Sequence, residues 1–288
     1  MILKHAIFAI LLLSFTNHSD CNELGFIKDL NGGACFAYLV EDINTNKRYV
    51  FKQTRKKDLS LYRDAFMEYV WSKVAQLVGI ATNNVEFINQ NFISPEKAHE
   101  NTLGTLHDYI ETPESSQAKK DITPSLAGPW NHLTFTSSIQ HTDLAKIAAL
   151  DLISGNADRH EGNMLYDCKK DQYIAIDFGY SSRSMHIHEA STFFKKMAEL
   201  PAHSTKLSKS EQESLLIFIN TLKELCKLIH KKHINYIFIE AMKKSIAYGA
   251  PQDVVCILYE LFSLQLTVAK KESLKIIRCA EIILSKSK

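Results

Sequence analysis

The chain has 288 residues, 45% of them hydrophobic and 23% charged, with 34 basic and 32 acidic side chains for a formal net charge of +2. Such a composition builds one large domain or two lobes sharing a cleft. A charge this close to zero excludes polyanion binding by bulk electrostatics, so no nucleic-acid partner is expected and any basic site must be local.

Lys4 and His5 precede an apolar run from Ala6 to Phe15, and polar residues follow. That is the order of a secretory signal, too short to span a bilayer. Residues 1–20 are therefore expected to act as a signal peptide and the chain to be exported. No later run reads as a membrane span, and a monomer is expected. Six scattered cysteines, Cys21, Cys35, Cys168, Cys226, Cys256 and Cys279, form no C-x-x-C motif and no Cys/His cluster, which argues against zinc. Cys226 and Cys256 lie in apolar helical runs and read as small core residues.

The stretch "GFIKDLNGGACFAYLVED" sets Gly32 and Gly33 between two extended segments, and "YVFKQ" returns after the turn "INTNKR". A helix follows through "LYRDAFMEYVWSKVAQLV", with Ser60 as its cap, Asp64 in its first turn and Gly79 as its stop. "NVEFINQNFI" and "TLGTLHDYI" read as two more strands. Residues 111–131, rich in Pro, Ser and charge, mark a composition shift, which divides the chain into an N-lobe over 21–110 and a C-lobe over 111–288. The C-lobe begins with the helix "HTDLAKIAALDLISG", capped by Thr142 or Asp143. The polar stretch "NADRHEGN" comes next, then a strand pair "NMLYD" and "YIAIDFG" around the turn "CKKDQ". Four helical runs close the chain, the last two being "PQDVVCILYELFSLQLTVAKK" and "SLKIIRCAEIILSK".

Phosphoryl transfer from ATP needs a backbone loop over the phosphates, a lysine held by a carboxylate, a carboxylate at the attacking hydroxyl and oxygen ligands for magnesium. Each part has a candidate in chain order. Gly32 and Gly33 let the backbone approach phosphates closely. Lys52 shares a strand face with Val50, and Glu68 lies in the following helix, its side of that helix ambiguous from its neighbours. Asp158 and Asn163 are spaced D-x-x-x-x-N, and Asp177 heads D-F-G after an apolar strand. Asn163 and Asp177 offer hard oxygen ligands for Mg²⁺, and Asp158 can receive or orient the hydroxyl proton. Arg159 reads equally as a phosphate contact or as a salt bridge fixing the loop.

The segment "DLISGNADRHEGNMLYD…YIAIDFGYS" resembles the catalytic and metal-binding loops of the atypical protein-kinase-like superfamily, which includes phosphatidylinositol 3- and 4-kinases, actin-fragmin kinase and HipA-type kinases. The lead-in "LDLISGNADRH" is similar to the version in bacterial and secreted effector kinases. The resemblance implies an α+β, two-lobed fold with a small β-rich N-lobe carrying one main helix and a larger helical C-lobe. It implies ATP and Mg²⁺ as cofactors. By position it makes Asp158 the catalytic carboxylate assisted by His160, gives Asn163 and Asp177 to the metal and Lys52 with Glu68 to the phosphates, and sets the adenine against the backbone of Tyr109, Ile110 and Glu111. The eukaryotic H-R-D order is missing and no A-P-E follows. Only Arg183, and Lys195 with Lys196 further on, stand where phosphatidylinositol kinases carry a basic substrate segment. A protein hydroxyl is therefore the favoured acceptor and a phosphoinositide hydroxyl the alternative. A non-catalytic pseudokinase is the alternative of another class.

Overall fold

The computed structural model describes residues 24–30, 36–53, 59–89, 103–110, 142–156, 158–159, 163–167, 170–179, 181, 207 and 209–286. The expected leader, Gly32, Gly33, Glu111, the 111–131 shift, His160 and Arg183 lie outside them.

Alternating apolar and polar residues produce five short strands that pair antiparallel: β1 (Leu24–Asp29), β2 (Phe36–Asp42), β3 (Arg48–Gln53), β4 (Val85–Asn89) and β5 (Leu103–Asp108), in the order β1-β2-β3-β5-β4. The β2–β3 turn is held by the Asp42 carboxylate, which accepts the N–H of Asn44 at 2.8 Å and of Thr45 at 3.1 Å. Asn46 supplies the turn's left-handed residue at φ 56°, a conformation Asn tolerates better than most side chains. One face of the sheet carries a small cluster of Leu24, Tyr38, Val40 and Phe51. The other, with Val85, Phe87 and Leu103, merges into the main core.

Gly104 lies against the Phe51 ring. A Cβ there would stand 2.2 Å from Phe51 Cε2, 2.7 Å from Cζ and 3.1 Å from the Lys52 carbonyl. Gly104→Ala is expected to push Phe51 off its seat and to cost about 1–3 kcal/mol, the usual penalty for overpacking. A urea midpoint unchanged from wild type would refute this contact.

Helix α1 (Leu59–Leu77) connects β3 to β4. Ser60 lies inside the helix rather than at its cap, and the first turn holds no acidic residue, so Asp64 sits further in than the sequence pattern suggests. Gly79, at φ 68°, terminates the helix as expected. The C-terminal region comprises α2 (Thr142–Ser154), the hairpin β6 (Met164–Asp167) and β7 (Gln172–Ala175), then α3 (Lys209–His230), α4 (His233–Ala247) and α5 (Gln252–Lys286). The last two expected helices are one 35-residue helix. The polar "KKES" reads as a break, yet Ser273 is fully buried, and Ala269 and Ile276 continue the packed stripe. By length and composition α5 also suffices to cross a membrane, against the expectation that no later run would. Val255, Leu258, Phe262 and Leu266 on its inner face pack into the core.

Helix α1 has almost no solvent face. Phe66, Tyr69, Val70, Trp71 and Val74 are all fully buried. Phe66 stacks on Phe238 of α4 with centroids 5.4 Å apart, and Trp71 meets Phe262 of α5 at 5.9 Å. A single apolar core thus runs from the sheet through α1 into the helical region.

Candidate active site

Lys52 lies on β3 opposite Thr105 of β5, on the sheet face that looks toward α1. Its ammonium meets the Glu68 carboxylate Oε1 of α1 and stands 3.1 Å from Asp177 Oδ1. Glu68 is buried, and its Oε2 accepts the Phe178 N–H at 2.8 Å. One glutamate therefore orients the lysine and pins the backbone beside Asp177. Asp177 follows β7 by two residues and adopts φ 59°, which is uncommon for a side chain with a Cβ. This turn aims its carboxylate back at Lys52 instead of along the strand. Gly179 needs no such freedom: a Cβ there would meet Asp64 Cβ and Glu68 Oε1 at 3.5 Å, ordinary contact.

The three charges set one another's ionisation. Burial alone would lower the pKa of the Lys52 ammonium, but the Glu68 and Asp177 carboxylates outweigh it and hold the lysine above its ordinary value. Burial pushes the Glu68 carboxyl up, to about 7, against the pull of Lys52 and with the repulsion of Asp177. Burial would also raise Asp177, but Lys52 beside it holds that carboxyl well below the usual carboxylate range. Asp177 is thus an ionised carboxylate, and its side chain is 40% exposed.

The β6–β7 ladder delivers the second oxygen ligand. Met164 pairs with Ala175, and the Ile176 N–H reaches the Asn163 carbonyl at 3.1 Å, which sets Asn163 beside the residue before Asp177. Asn163 Nδ2 donates to the Asp158 carbonyl at 2.8 Å, leaving Oδ1 as the amide's remaining acceptor. The Asp158 N–H donates to Asn156 Oδ1 at 3.1 Å. Among the described residues the Asp158 carboxylate makes no hydrogen bond or ion pair, so it remains available to an incoming hydroxyl.

Arg159 is a structural fastener. Its Nε and Nη2 each lie 3.0 Å from the Asp151 carboxylate of α2, Nη1 donates to the carbonyls of Asn163 and Ile176, and the guanidinium lies 5.0 Å over the Phe178 ring. Asn156 Nδ2 joins the same carboxylate at 3.2 Å. The two readings of Arg159 resolve as the salt bridge, with the side chain fully buried. Asn156, which has no evident role in the sequence, and Asp151, which looks like one more helix residue, are the supports of the loop.

His107 is also absent from the sequence reading. It is fully buried on β5, with Nδ1 3.2 Å from Asn83 Nδ2 and Nε2 3.0 Å from Thr105 Oγ1. Burial, then the Lys52 charge, push its pKa well below the ordinary value, so the ring is neutral. Its signal in the sequence was the period-two alternation of Leu103, Thr105 and His107, which gives all three one face. Of the expected adenine-contacting residues, Tyr109 is exposed, and its N–H is already engaged by the Arg48 carbonyl at 3.2 Å. Ile110 is half-buried beyond the end of β5.

Residues 96–208 match the family model for phosphatidylinositol 3- and 4-kinase. That segment holds Asp158, Asn163 and Asp177 and leaves out Lys52 and Glu68. Among solved structures, the proinflammatory kinase CtkA of Helicobacter pylori superimposes with a TM-score of 0.52 at 13% identity, covering 92% of this chain and 97% of that one. The chain has the protein-kinase-like fold. An ethanolamine kinase of Plasmodium vivax aligns at a TM-score of 0.30 and 12% identity, over 97% of this chain and 90% of that one. A search of curated protein sequences finds no match. In this kinase-like frame, the small antiparallel sheet supplies the lysine, α1 the glutamate, and the β6–β7 hairpin the D-F-G aspartate. Family match and fold together support a phosphotransferase.

Proposed function

We infer that the chain transfers the γ-phosphoryl group of ATP to a hydroxyl, and that the acceptor belongs to a protein. The observation that carries this reading is Lys52 shared between Glu68 and Asp177, with the Asn163 carbonyl bonded to the N–H of Ile176, the residue before Asp177. A half-buried ammonium fixed by two carboxylates is a preorganised counter-charge for phosphate oxygens, effective because it needs no reorganisation during the reaction. The donor set suits magnesium, which prefers hard oxygens and is commonly bound by one or two carboxylates together with substrate phosphates. Asp177 and Asn163 Oδ1 would hold it, and when bound it would neutralise charge on the phosphates. Asp158 would orient the acceptor hydroxyl and take its proton.

In the segment after D-F-G few basic residues stand to receive an inositol phosphate, which favours a protein acceptor. The phosphatidylinositol kinase family match favours the second reading, a phosphoinositide hydroxyl.

Thermal melts test the nucleotide site first. Mg-ATP at a hundredfold excess over its dissociation constant should stabilise the wild type by ~2.7 kcal/mol, ATP with chelator should do less, and Asp177→Asn should lose the magnesium-dependent part. Radiolabel transfer into lysate proteins and into phosphoinositide vesicles then separates the acceptors. Asp158→Ala is expected to lower transfer by about 10²–10⁴-fold. A melt indifferent to nucleotide and metal would sink the kinase reading, and a nucleotide-binding protein with no transfer to either acceptor would be a pseudokinase.

A further inference from the structure

Beside the catalytic charges on α1 stands a second polar cluster that the reaction itself does not use. The Tyr69 hydroxyl, next in sequence to Glu68, donates to Glu240 Oε1 of α4 at 2.8 Å. Lys244, one turn along α4, reaches Glu240 at 3.4 Å and Glu86 Oε2 of β4 at 2.9 Å. Lys73, one turn along α1 from Tyr69, reaches the other Glu86 oxygen at 2.9 Å and Asn84 Oδ1 at 2.7 Å. The two ammonium groups flank the Tyr69 ring at 5.1 and 5.4 Å from its centroid, and the ring stacks on Phe87 at 4.9 Å. The cluster joins three elements, α1, β4 and α4, at the residue adjoining the glutamate that holds Lys52.

We propose that Tyr69 and Lys244 are positioning residues: with Glu86 and Glu240 they clamp α1 onto α4, so that the Lys52–Glu68 pair stands assembled in the free protein and α1 does not swing to switch the site. The proposal rests on the phosphotransferase reading for its consequence and on the clamp geometry for its cause. Sliding or rotating α1 by one turn would strip Tyr69 of Glu240 and part Lys73 from Glu86. It would also draw Phe66 and Trp71 out of their contacts with Phe238 and Phe262. Bistable elements need two packed arrangements, and a helix whose Phe66, Tyr69, Val70, Trp71 and Val74 are all fully buried has no second seat of comparable contact. It follows that the purified protein works without an activating partner.

Two readouts separate the clamp from the activity. The first needs no catalysis. Acetylation of the full chain by an N-hydroxysuccinimide ester without nucleotide, followed by mass spectrometry, measures how firmly Glu68 holds Lys52, with exposed Lys170 as the internal reference. Tyr69→Phe removes one hydroxyl and should keep the fold; Lys244→Met removes the central cation. Both are expected to raise the Lys52 rate severalfold relative to Lys170, toward that of Glu68→Gln, because Lys52 then loses the carboxylate that holds it. The second readout is kcat with Mg-ATP. Each clamp variant should lower kcat in the wild-type background and change little when Glu68 is already Gln, because the clamp acts through Glu68. Wild-type acetylation of Lys52 in both folded variants, or losses in kcat that multiply with Glu68→Gln, would overturn the proposal. Loosened Lys52 in a protein that transfers no phosphate would uphold the clamp and refute the phosphotransferase reading instead.

Discussion

Arg159→Met is expected to destabilise the protein by about 3–5 kcal/mol, the range for removing one partner of a buried ion pair. The guanidinium ties α2 to the site through three points: the Asp151 carboxylate on α2, the Asn163 carbonyl at the end of the catalytic loop and the Ile176 carbonyl before Asp177. Removing it leaves the buried Asp151 carboxylate without its counter-charge and takes one donor from each of the two carbonyls. Arg159→Lys should recover little, since a single ammonium cannot reproduce a planar fork that reaches a carboxylate and two carbonyls at once. Asp151→Asn with Arg159→Met should cost less than the sum of the single changes, because the charge left stranded by one is removed by the other. Urea unfolding of the five proteins (wild type, Arg159→Met, Arg159→Lys, Asp151→Asn and the double variant) decides the matter. A single Arg159→Met within about 1 kcal/mol of wild type, the range of surface salt bridges, would show the fastener to be dispensable. Activity should fall further than stability predicts, since Asn163 and the turn carrying Asp177 lose their common anchor.

The same residue shows what the sequence could and could not convey. The spacing of Asp158, Asn163 and Asp177 was legible because local chain geometry, a loop followed by a tight hairpin, brings them close. The pairing of Lys52 with Glu68 was legible from the need for a lysine held by a carboxylate. The facing of Glu68 was not, because α1 is covered by the sheet on one side and by α4 and α5 on the other. A helix buried all round has no polar stripe from which to read direction. Arg159 was undecidable for a different reason: two of its acceptors are main-chain carbonyls, which carry no side-chain signal. His107 went unnoticed because a lone histidine on a short strand gains meaning only once β3 and β5 pair and set it near Lys52. The end of α5 was misplaced because a cluster of charge and Ser reads as a break. The stretch lacks Gly and Pro, and Glu272 with Lys275 at 2.7 Å lies along one continuous helix.

Lys52→Met should enlarge the protein's loss of stability with rising pH. In the wild type, Glu68 is raised from 4.5 to about 7. The folded state therefore holds a proton more firmly than the unfolded chain does, and this group's contribution is lost as pH rises from about 4.5 through 7. Asp177 acts in the opposite sense. Its depressed pKa contributes stability above its unfolded value of 3.8 that is lost as pH falls through the folded value. Lys52 supplies the attraction behind that depression, and it restrains Glu68 from rising further. With Met in its place, two carboxylates face each other without their shared cation. Asp177 then contributes less on the acid side, and the Glu68 value climbs. The variant's melting temperature should fall steeply between about pH 5 and pH 8, with a deficit near 3–5 kcal/mol at the alkaline end that shrinks in acid as Glu68 takes up its proton. Adding Glu68→Gln should flatten the profile, because the titrating member of the pair is gone. Phosphoryl transfer should drop by about 10²–10³-fold, the usual loss when a preorganised counter-charge is removed, and acid should not restore it, since protonating Glu68 returns the fold but not the cation. Melts across this range at constant ionic strength test the argument. A deficit that stays the same at both ends would mean that Glu68 does not titrate with the site, and that Lys52 is held by something other than the pair of carboxylates.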